Sequence, residues 1–426
     1  MRIAVFDLDA TPPVGSRLTY DPAIDRGELG LRCRGLVLSG LEKPVVLCAV
    51  DWIGIANEGH DAFRNVLAEA AGTTADRVAV HVLHPHDAPI CDFTSERLLK
   101  ESGQDPLVFE SSWQRQFLQQ LGTTVRGVLA KAQPVTHVGF GEGVVEGVAS
   151  NRRILGPDGK VKAVRYTACK DPAVRNEPEG TIDPIATAVS FWNGDEPLAV
   201  LTYYATHPQS YYRTGIANPD FPGIARFLRE QEVPVPHIHF NGAGGNIGAG
   251  KYNDGSPANR PVLAKKLAAG LAKAWEATKK QPISAKEISW KVAPVALPPA
   301  DFLDAAKLTE SLRADRSGAI LGSAMQLAWL QRCQGGHKIE LSRLRLGSVD
   351  LLHLPGELFV EYQLEAKKAG GSRRVACAAY GDYGPGYIGT EISYSQGGYE
   401  TQPSSSFTAP GVEKVLLEGI RELVKP

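Results

Sequence analysis

Six side chains in four short segments carry the residue types that metal-assisted chemistry needs. They are His84 and His86 in VLHPHDAP, His207 in YYATHPQS, Glu357 in LHLPGELF, and Tyr387 and Tyr399 in GYIGTEISYSQGGYE. Imidazole, carboxylate and phenolate are ligands that a borderline-soft ion such as zinc accepts. A zinc ion held by three or four protein groups with one position open lowers the pKa of water and polarises a carbonyl. Each segment alone has a plainer reading. An HxH pair is mostly structural, a histidine closing an apolar strand is often a satisfied core residue, and a glutamate at a helix start is often a cap or dipole partner. The set as a whole points to a zinc hydrolase.

The surrounding elements must bring together groups spread over 300 positions. PVVLCAVDWIGI (44–55) reads as a buried strand, and DAFRNVLAEAAG (61–72) has helical spacing and a terminal glycine. RVAVHVLHPH (77–86) reads as a strand ending on the two histidines, whose side chains would leave one face. The stretch 111–132 places Phe117, Leu118, Leu121, Val125, Val128 and Leu129 on one helical face. PLAVLTYYATH (197–207) is a strand, 221–231 a helix, HIHFNGAGGN (237–246) a strand running into a glycine loop, and 261–280 an amphipathic helix. After about 285 come a strand, two helices (about 303–316 and 323–333), the strands of KIELSRLRLGSVDLLHL and the helix FVEYQLEAKK. The strand RRVACAAY, a Gly/Tyr-rich loop (381–400) and a final helix complete the chain. The expected fold class is α/β, with mixed sheets and flanking helices. Residues 1–426 are read as a single catalytic unit, with 1–284 and 285–426 as candidate lobes. His237 and His239 alternate with apolar residues and read as structural.

The segment NGAGGNIGAGKYNDG (241–255) nearly spells a P-loop through Gly245, Gly250 and Lys251. Tyr252 stands where a Ser or Thr must ligate magnesium, and turn formers follow instead of a helix. Nucleotide binding is therefore rejected, and a backbone-lined wall of an active site is expected.

Taken in order, the segments resemble the neutral/alkaline (non-lysosomal) ceramidase family in its catalytic domain. VLHPHDAP is similar to the family's THTHSGP, YYATHPQS to FATHGT, HLPGE (353–357) to LPGE, and YIGTEISYSQGGYE to its YVTTxEEYxxQxYEG run. The 12-residue interval from Tyr387 to Tyr399 equals the family's interval between its ligand and catalytic tyrosines. AVDWIGI with Asp51, SNRR with Arg152, TIDPIATAVSF with Asp183 and NPDFPG with Asp220 resemble further family segments. The resemblance implies zinc ligands His84, His207, Glu357 and Tyr387. It implies His86 as general base and then acid, with Tyr399 and Arg152 stabilising the oxyanion. Asp51, Asn241, Gly244, Asn246 and Asp220 are expected at the substrate. The sequence also departs from the family. The conspicuous serine of NxGDVSPN has no counterpart, Gly248 being the nearest equivalent, and a glycine-rich pocket edge has become HPHDAPIC. The family's C-terminal immunoglobulin-like domain is expected to be absent, and the natural substrate is expected not to be ceramide.

Bulk composition narrows the partners. Formal net charge is −1, so no global field draws the chain to nucleic acid or an anionic membrane. No apolar run approaches the roughly 18 residues a membrane span needs. The six cysteines lack any CxxC pair and read as reduced core residues. Asp7 and Asp9 break any signal-peptide core, so a cytoplasmic location is the default expectation, with secretion or periplasmic export the alternative if a leader has been removed. The expected partner is a small-molecule substrate; oligomeric state is not legible. The expected activity is hydrolysis of an amide bond. Two alternatives stay open: an esterase or lyase acting on a polar, sugar-like substrate, and a non-catalytic binding protein on the same scaffold. The aromatics Trp52, Tyr203, Tyr204, Tyr211, Tyr212 and Tyr383 would suit a hydroxyl-rich ligand, a lipid headgroup or plain packing.

Overall fold

The computed structural model describes residues 1–314 and 319–425. Three mixed sheets carry the fold. The first orders the strands Val78–Val82, Val45–Val50, Arg32–Ser39, Arg2–Asp9 and Gln133–Pro134. The second orders His237–Asn241, Glu196–Tyr204, Ile185–Asn193, His137–Val144 and Lys279–Pro282. The third orders Ile288–Val295, Ile339–Leu346, Val349–His353 and Arg374–Ala378.

Each sheet is antiparallel except for one parallel pair at an edge: Val46 against Val78, Val200 against His237, and Val349 against Arg374. Runs such as VVLCAV and HIHFN are buried at every position, as expected where a strand is covered on both faces. The three parallel edges converge on one apolar cluster that includes Leu47, Ala79, Leu201, Phe240, Leu351 and Ala378. Backbone bonds lace the edges together: Ala379 N–H donates to Asn241 O (2.9 Å) and Val82 N–H to Tyr380 O (2.9 Å). The C-terminal ends of these six strands therefore open toward one place, where sites on parallel strands are usually built.

Helices cover the outer faces. Asn57–Ala71 packs on Ser112–Leu129, whose buried face is Phe117, Leu118, Leu121 and Val125 as the spacing predicts. Gly72 ends the first of these helices with φ +66°, and its N–H closes on Ala68 and Glu69 carbonyls. Asp220–Glu232 pairs with Asn259–Glu276 over the second sheet, and Val412–Val424 lies on the third. The helix expected at about 303–316 runs Ala305–Ala314, and positions 315 and 316 lie outside the described residues. Its neighbour runs Ile320–Gln334. Among the described residues no helix is long and apolar enough to cross a membrane.

Two strands stop earlier than their sequences suggest, at Val82 and Tyr204, while His237–Asn241 ends where the glycine loop was expected to begin. In the first case the cause is local. His84 takes a left-handed backbone (φ 64°), which ends the pleat; a non-glycine residue pays roughly 1 kcal/mol or more for that conformation. The two histidines therefore do not share a strand face; they converge from a turn.

Buried imidazoles make the fold acid-sensitive. Burial pushes His81 and His239 down to about 3 each and His237 down to about 4. The unfolded chain takes up protons near the ordinary value of about 6.5 while these rings stay neutral in the fold. Stability is thus fully present above about pH 6.5 and declines as pH falls below it, by roughly 1.4 kcal/mol per pH unit for each such ring. Urea midpoints measured at pH 7.5 and pH 5 should show the drop, and His239→Gln should flatten it. Equal midpoints at both pH values would contradict the assignment.

Candidate metal centre and cavity

The candidate metal ligands and His86 lie past four of the six converging strand ends, whereas Arg152 comes from between the short strands Ser150–Asn151 and Arg153–Leu155. After Val82 come His84 and His86; after Tyr204, His207; after His353, Glu357; after Ala378, Tyr380, Tyr383 and Tyr387. Gly356 (φ 56°) makes the turn that starts a two-residue strand, Glu357–Leu358, and this pairs in parallel with Tyr387–Ile388. Register puts Glu357 directly beside Tyr387.

Glu357 Oε2 is the point on which the nitrogens close. His84 Nε2 lies 3.4 Å from it and His207 Nδ1 3.6 Å. Glu357 Oε2 and His207 Nδ1 are buried and make no hydrogen bond. Two orphaned polar atoms facing each other in a buried site cost several kcal/mol together unless something bridges them. His84 Nδ1 approaches Ile53 O at 2.5 Å, and because a carbonyl only accepts, that nitrogen carries the proton. Its Nε2 lone pair then faces Glu357, the orientation a ligating histidine has when its other nitrogen is anchored. Rings of Tyr380 and Tyr383 flank His84 with centroids at 4.8 and 5.5 Å, and Tyr383 Oη donates to Glu357 Oε1 (2.5 Å). The residues present fit a divalent cation.

A second grouping overlaps the first: ligand atoms of His84, His86 and His207 all lie within 4.8 Å of one another. His86 Nε2, however, is 2.9 Å from His207 Nε2, a contact that needs one donor and one acceptor. We weigh the Glu357-centred set more heavily, because two of its three atoms have no other partner. Burial pushes His86 and His207 well below the ordinary imidazole value, with His84 and Arg152 adding to the effect. Both rings are therefore neutral, the form that binds a metal.

Arg152 completes the floor. Its Nη1 donates to Tyr387 Oη (3.1 Å) and its Nε lies 3.3 Å from Glu400 Oε1. Burial alone would lower the Arg152 value; Tyr387 and Glu400 outweigh it and keep the guanidinium charged. Its carbon also sits 5.5 Å from the Tyr399 ring centroid. His86, His207, Tyr387, Tyr399 and Arg152 all line a cavity of about 630 Å³, a size suited to a small-molecule substrate. Another cavity, beneath His81 and His353, holds about 40 Å³, room for water only.

Asp51, Asn241, Gly244, Asn246 and Asp220, expected at the substrate, do not reach this cavity wall. Asp51 is clamped by both Arg226 Nη atoms (2.8 and 2.7 Å). Asn241 donates to Leu83 O (2.7 Å), and the Asn246 carbonyl accepts the Arg152 N–H (2.8 Å). Asp220 accepts from Ser210 N (3.1 Å) and Oγ (3.0 Å), and Ser210 does line the cavity. Gly244 lies so close to Thr206 that a Cβ would stand 2.6 Å from its carbonyl. At Gly245 a Cβ would stand 2.2 Å from Glu357 O. The glycine loop is therefore a spacer wedged between the His207 and Glu357 segments. Lys251, the lysine of the near P-loop, donates to the Glu177 carbonyl (2.6 Å).

Three contributors were not singled out as site residues: Tyr20, stacked on His86 at 5.7 Å; Glu400, fully buried against Arg152 and Arg153; and Tyr383 on Glu357. Tyr383 and Glu400 sit in the Gly/Tyr-rich loop that carries Tyr387, which is a usable signal; Tyr20 has none. Of the aromatics considered for a polar ligand, Tyr211 and Tyr212 line the cavity, while Trp52, Tyr203 and Tyr204 are core residues.

No family model matches the sequence, and no curated protein matches it. Among solved structures the chain superposes on a ceramidase complexed with C2, with a TM-score of 0.70 and 16% identity over 99% of this chain and 74% of that one. The chain has the neutral-ceramidase fold. A second solved structure, neutral ceramidase from Pseudomonas aeruginosa, gives a TM-score of 0.69 and 16% identity over the same shares. At that identity the likeness is one of fold, and the mixed sheets with flanking helices are those the motif order implied.

Proposed function

We propose that this protein is a metal-dependent hydrolase of an amide bond, with zinc as its metal. The observation that carries this reading is the convergence of His84 Nε2 and His207 Nδ1 on the unpartnered Glu357 Oε2 behind the cavity floor. The ceramidase-like fold supports it. His84, His207, Glu357 and Tyr387 would hold the ion, which when bound supplies Lewis-acid polarisation and makes water more acidic. Tyr387 is suited to this place because Arg152 donates to its oxygen and favours phenolate character, opposing the burial that raises its value.

The chain's own groups do the rest. His86, neutral and exposed to the cavity, takes a proton as water attacks the carbonyl carbon and returns it to the departing nitrogen. Arg152 and Tyr399 donate to the oxygen on which charge develops, in a buried site where such donors are worth most. Tyr383 and the Ile53 carbonyl orient Glu357 and His84.

Elemental mass spectrometry of zinc-supplied protein should find about one ion per chain. A panel of amides and esters should then show amine release that chelation abolishes. Protein that takes up no metal, or whose turnover ignores a chelator, would remove this reading.

A further inference from the structure

Six tyrosines line the cavity: Tyr20, Tyr166, Tyr211, Tyr212, Tyr387 and Tyr399. No Leu, Ile, Val, Met or Phe does; the aliphatic surface is limited to Ala168 and the Thr167 methyl. A fatty chain gains roughly 0.8 kcal/mol per methylene only where apolar walls receive it. Here it would lie against phenol hydroxyls and the charged groups of Arg152, Lys170 and Asp254.

Five of the tyrosines form two groups, and the sixth, Tyr211, is covered by the Arg260 guanidinium at 3.6 Å. Tyr20 stacks on His86 (centroids 5.7 Å, planes 12° apart) and meets Tyr212 edge-on at 4.8 Å. Tyr166 meets Tyr399 at 5.8 Å, and Tyr399 meets Tyr387 at 5.7 Å. Tyr20, Tyr166 and Tyr212 are still 38, 49 and 38% exposed at the mouth, although Arg213 lies over the Tyr20 and Tyr212 rings (5.4 and 5.9 Å) and Arg152 over Tyr166 (5.8 Å). Hydrogen-bonding capacity surrounds them. Asp254 uses only Oδ1 on Ser256 N–H and Asn259 Nδ2, leaving Oδ2 for a donor. Among the described residues nothing holds the Lys170 ammonium.

A flat apolar face edged by hydroxyls is the shape of a pyranose ring. Its C–H face packs on phenol rings and its hydroxyls pair with Asp254, Lys170 and Gln209. We infer that the substrate is an N-acylated amino sugar with a short acyl group, free or at the end of a glycan. This rests on the amide-hydrolase reading. In the step, the C–N bond breaks while water gives its OH to the carbonyl carbon and a proton to nitrogen. The products are a short carboxylate and the amino sugar, with no change in oxidation state.

Saturation-transfer NMR on the full chain tests it, with N-acetylglucosamine, N,N′-diacetylchitobiose and a longer oligomer as probes and a short-chain ceramide in detergent as competitor. Transfer to ring C–H protons is expected from the sugars. The double variant Tyr166→Ala/Tyr212→Ala, at two partly exposed positions, should weaken binding roughly tenfold. Preference for the oligomer over the monosaccharide identifies a glycan end as the source. Circular dichroism confirms that the variant is folded. No sugar signal from folded protein, with amine released from ceramide or other amides, overturns the inference and leaves the hydrolase reading intact. Ring contact without acetate release, in zinc-supplied protein that does hydrolyse other amides, also overturns the inference, whereas no amine release from any amide removes the hydrolase reading.

Discussion

Glu357→Gln is expected to empty the metal site and abolish turnover while leaving the metal-free protein at least as stable as the parent. The substitution keeps shape and removes charge. In the parent, Glu357 Oε2 is buried without a hydrogen bond and is faced by His207, which burial keeps neutral, and by His84, whose Nδ1 proton is on the Ile53 side. A buried carboxylate with one oxygen lacking any hydrogen bond is costly, so its replacement by an amide relieves the fold rather than harming it. Tyr383 Oη can still donate to the amide oxygen. What is lost is the negative ligand at the centre of the set. Losing several kcal/mol of charge stabilisation in the transition state corresponds to a rate loss of roughly a thousandfold or more. Added zinc should raise the melting temperature of the parent, by the equivalent of about 2.7 kcal/mol at a hundredfold excess over Kd, and leave the variant unmoved. Full turnover in the variant, or an equal zinc-induced shift in both proteins, would remove Glu357 from the metal set.

How the site becomes visible in the sequence depends on the kind of information each residue carries. Strands such as Val45–Val50 and helices such as Ser112–Leu129 are legible because burial imposes a period on their residues. Their ends are less so. His84, His86 and His207 all lie past the last paired residue, since a left-handed His84 and the hydrogen bonds of neighbouring loops decide where pairing stops. The chemistry-bearing residues were legible because histidine, glutamate and tyrosine in fixed order are improbable by chance, and the structure gathers His84, His86, Arg152, His207, Glu357, Tyr387 and Tyr399 at one place. Asp51 and Asp220 look equally functional in a sequence. What distinguishes them is an arginine elsewhere in the chain, Arg226 for one and Arg260, with nearby Ser210, for the other, which turns each carboxylate into a brace. The same reason hides Tyr20. Its place on His86 is fixed by tertiary packing across 66 positions, and no local pattern encodes it.

His86→Ala distinguishes the two ways in which the histidines can share the work. If His86 is the base, the variant keeps its zinc and loses roughly 10²–10⁴-fold in kcat. If His86 is instead a ligand with His84 and His207, metal content falls with activity. The geometry favours the base. His86 lines the cavity whereas Glu357 lies behind it, its Nε2 is engaged with His207 rather than with the carboxylate, and its Nδ1 is buried with no partner. With a metal on His207 Nδ1, the proton of that ring sits on Nε2 and is donated to His86 Nε2, which puts the His86 proton on Nδ1; His86 then takes a proton from water on Nε2 only when that nitrogen turns away from His207. Exogenous imidazole should restore part of the lost rate, because the vacated ring volume opens into the cavity beside Tyr20. A merely structural role for His86 would give neither rescue nor a fall in kcat at constant KM and constant metal content. Full activity in the alanine variant, with zinc retained, would leave the reaction without its proposed proton carrier.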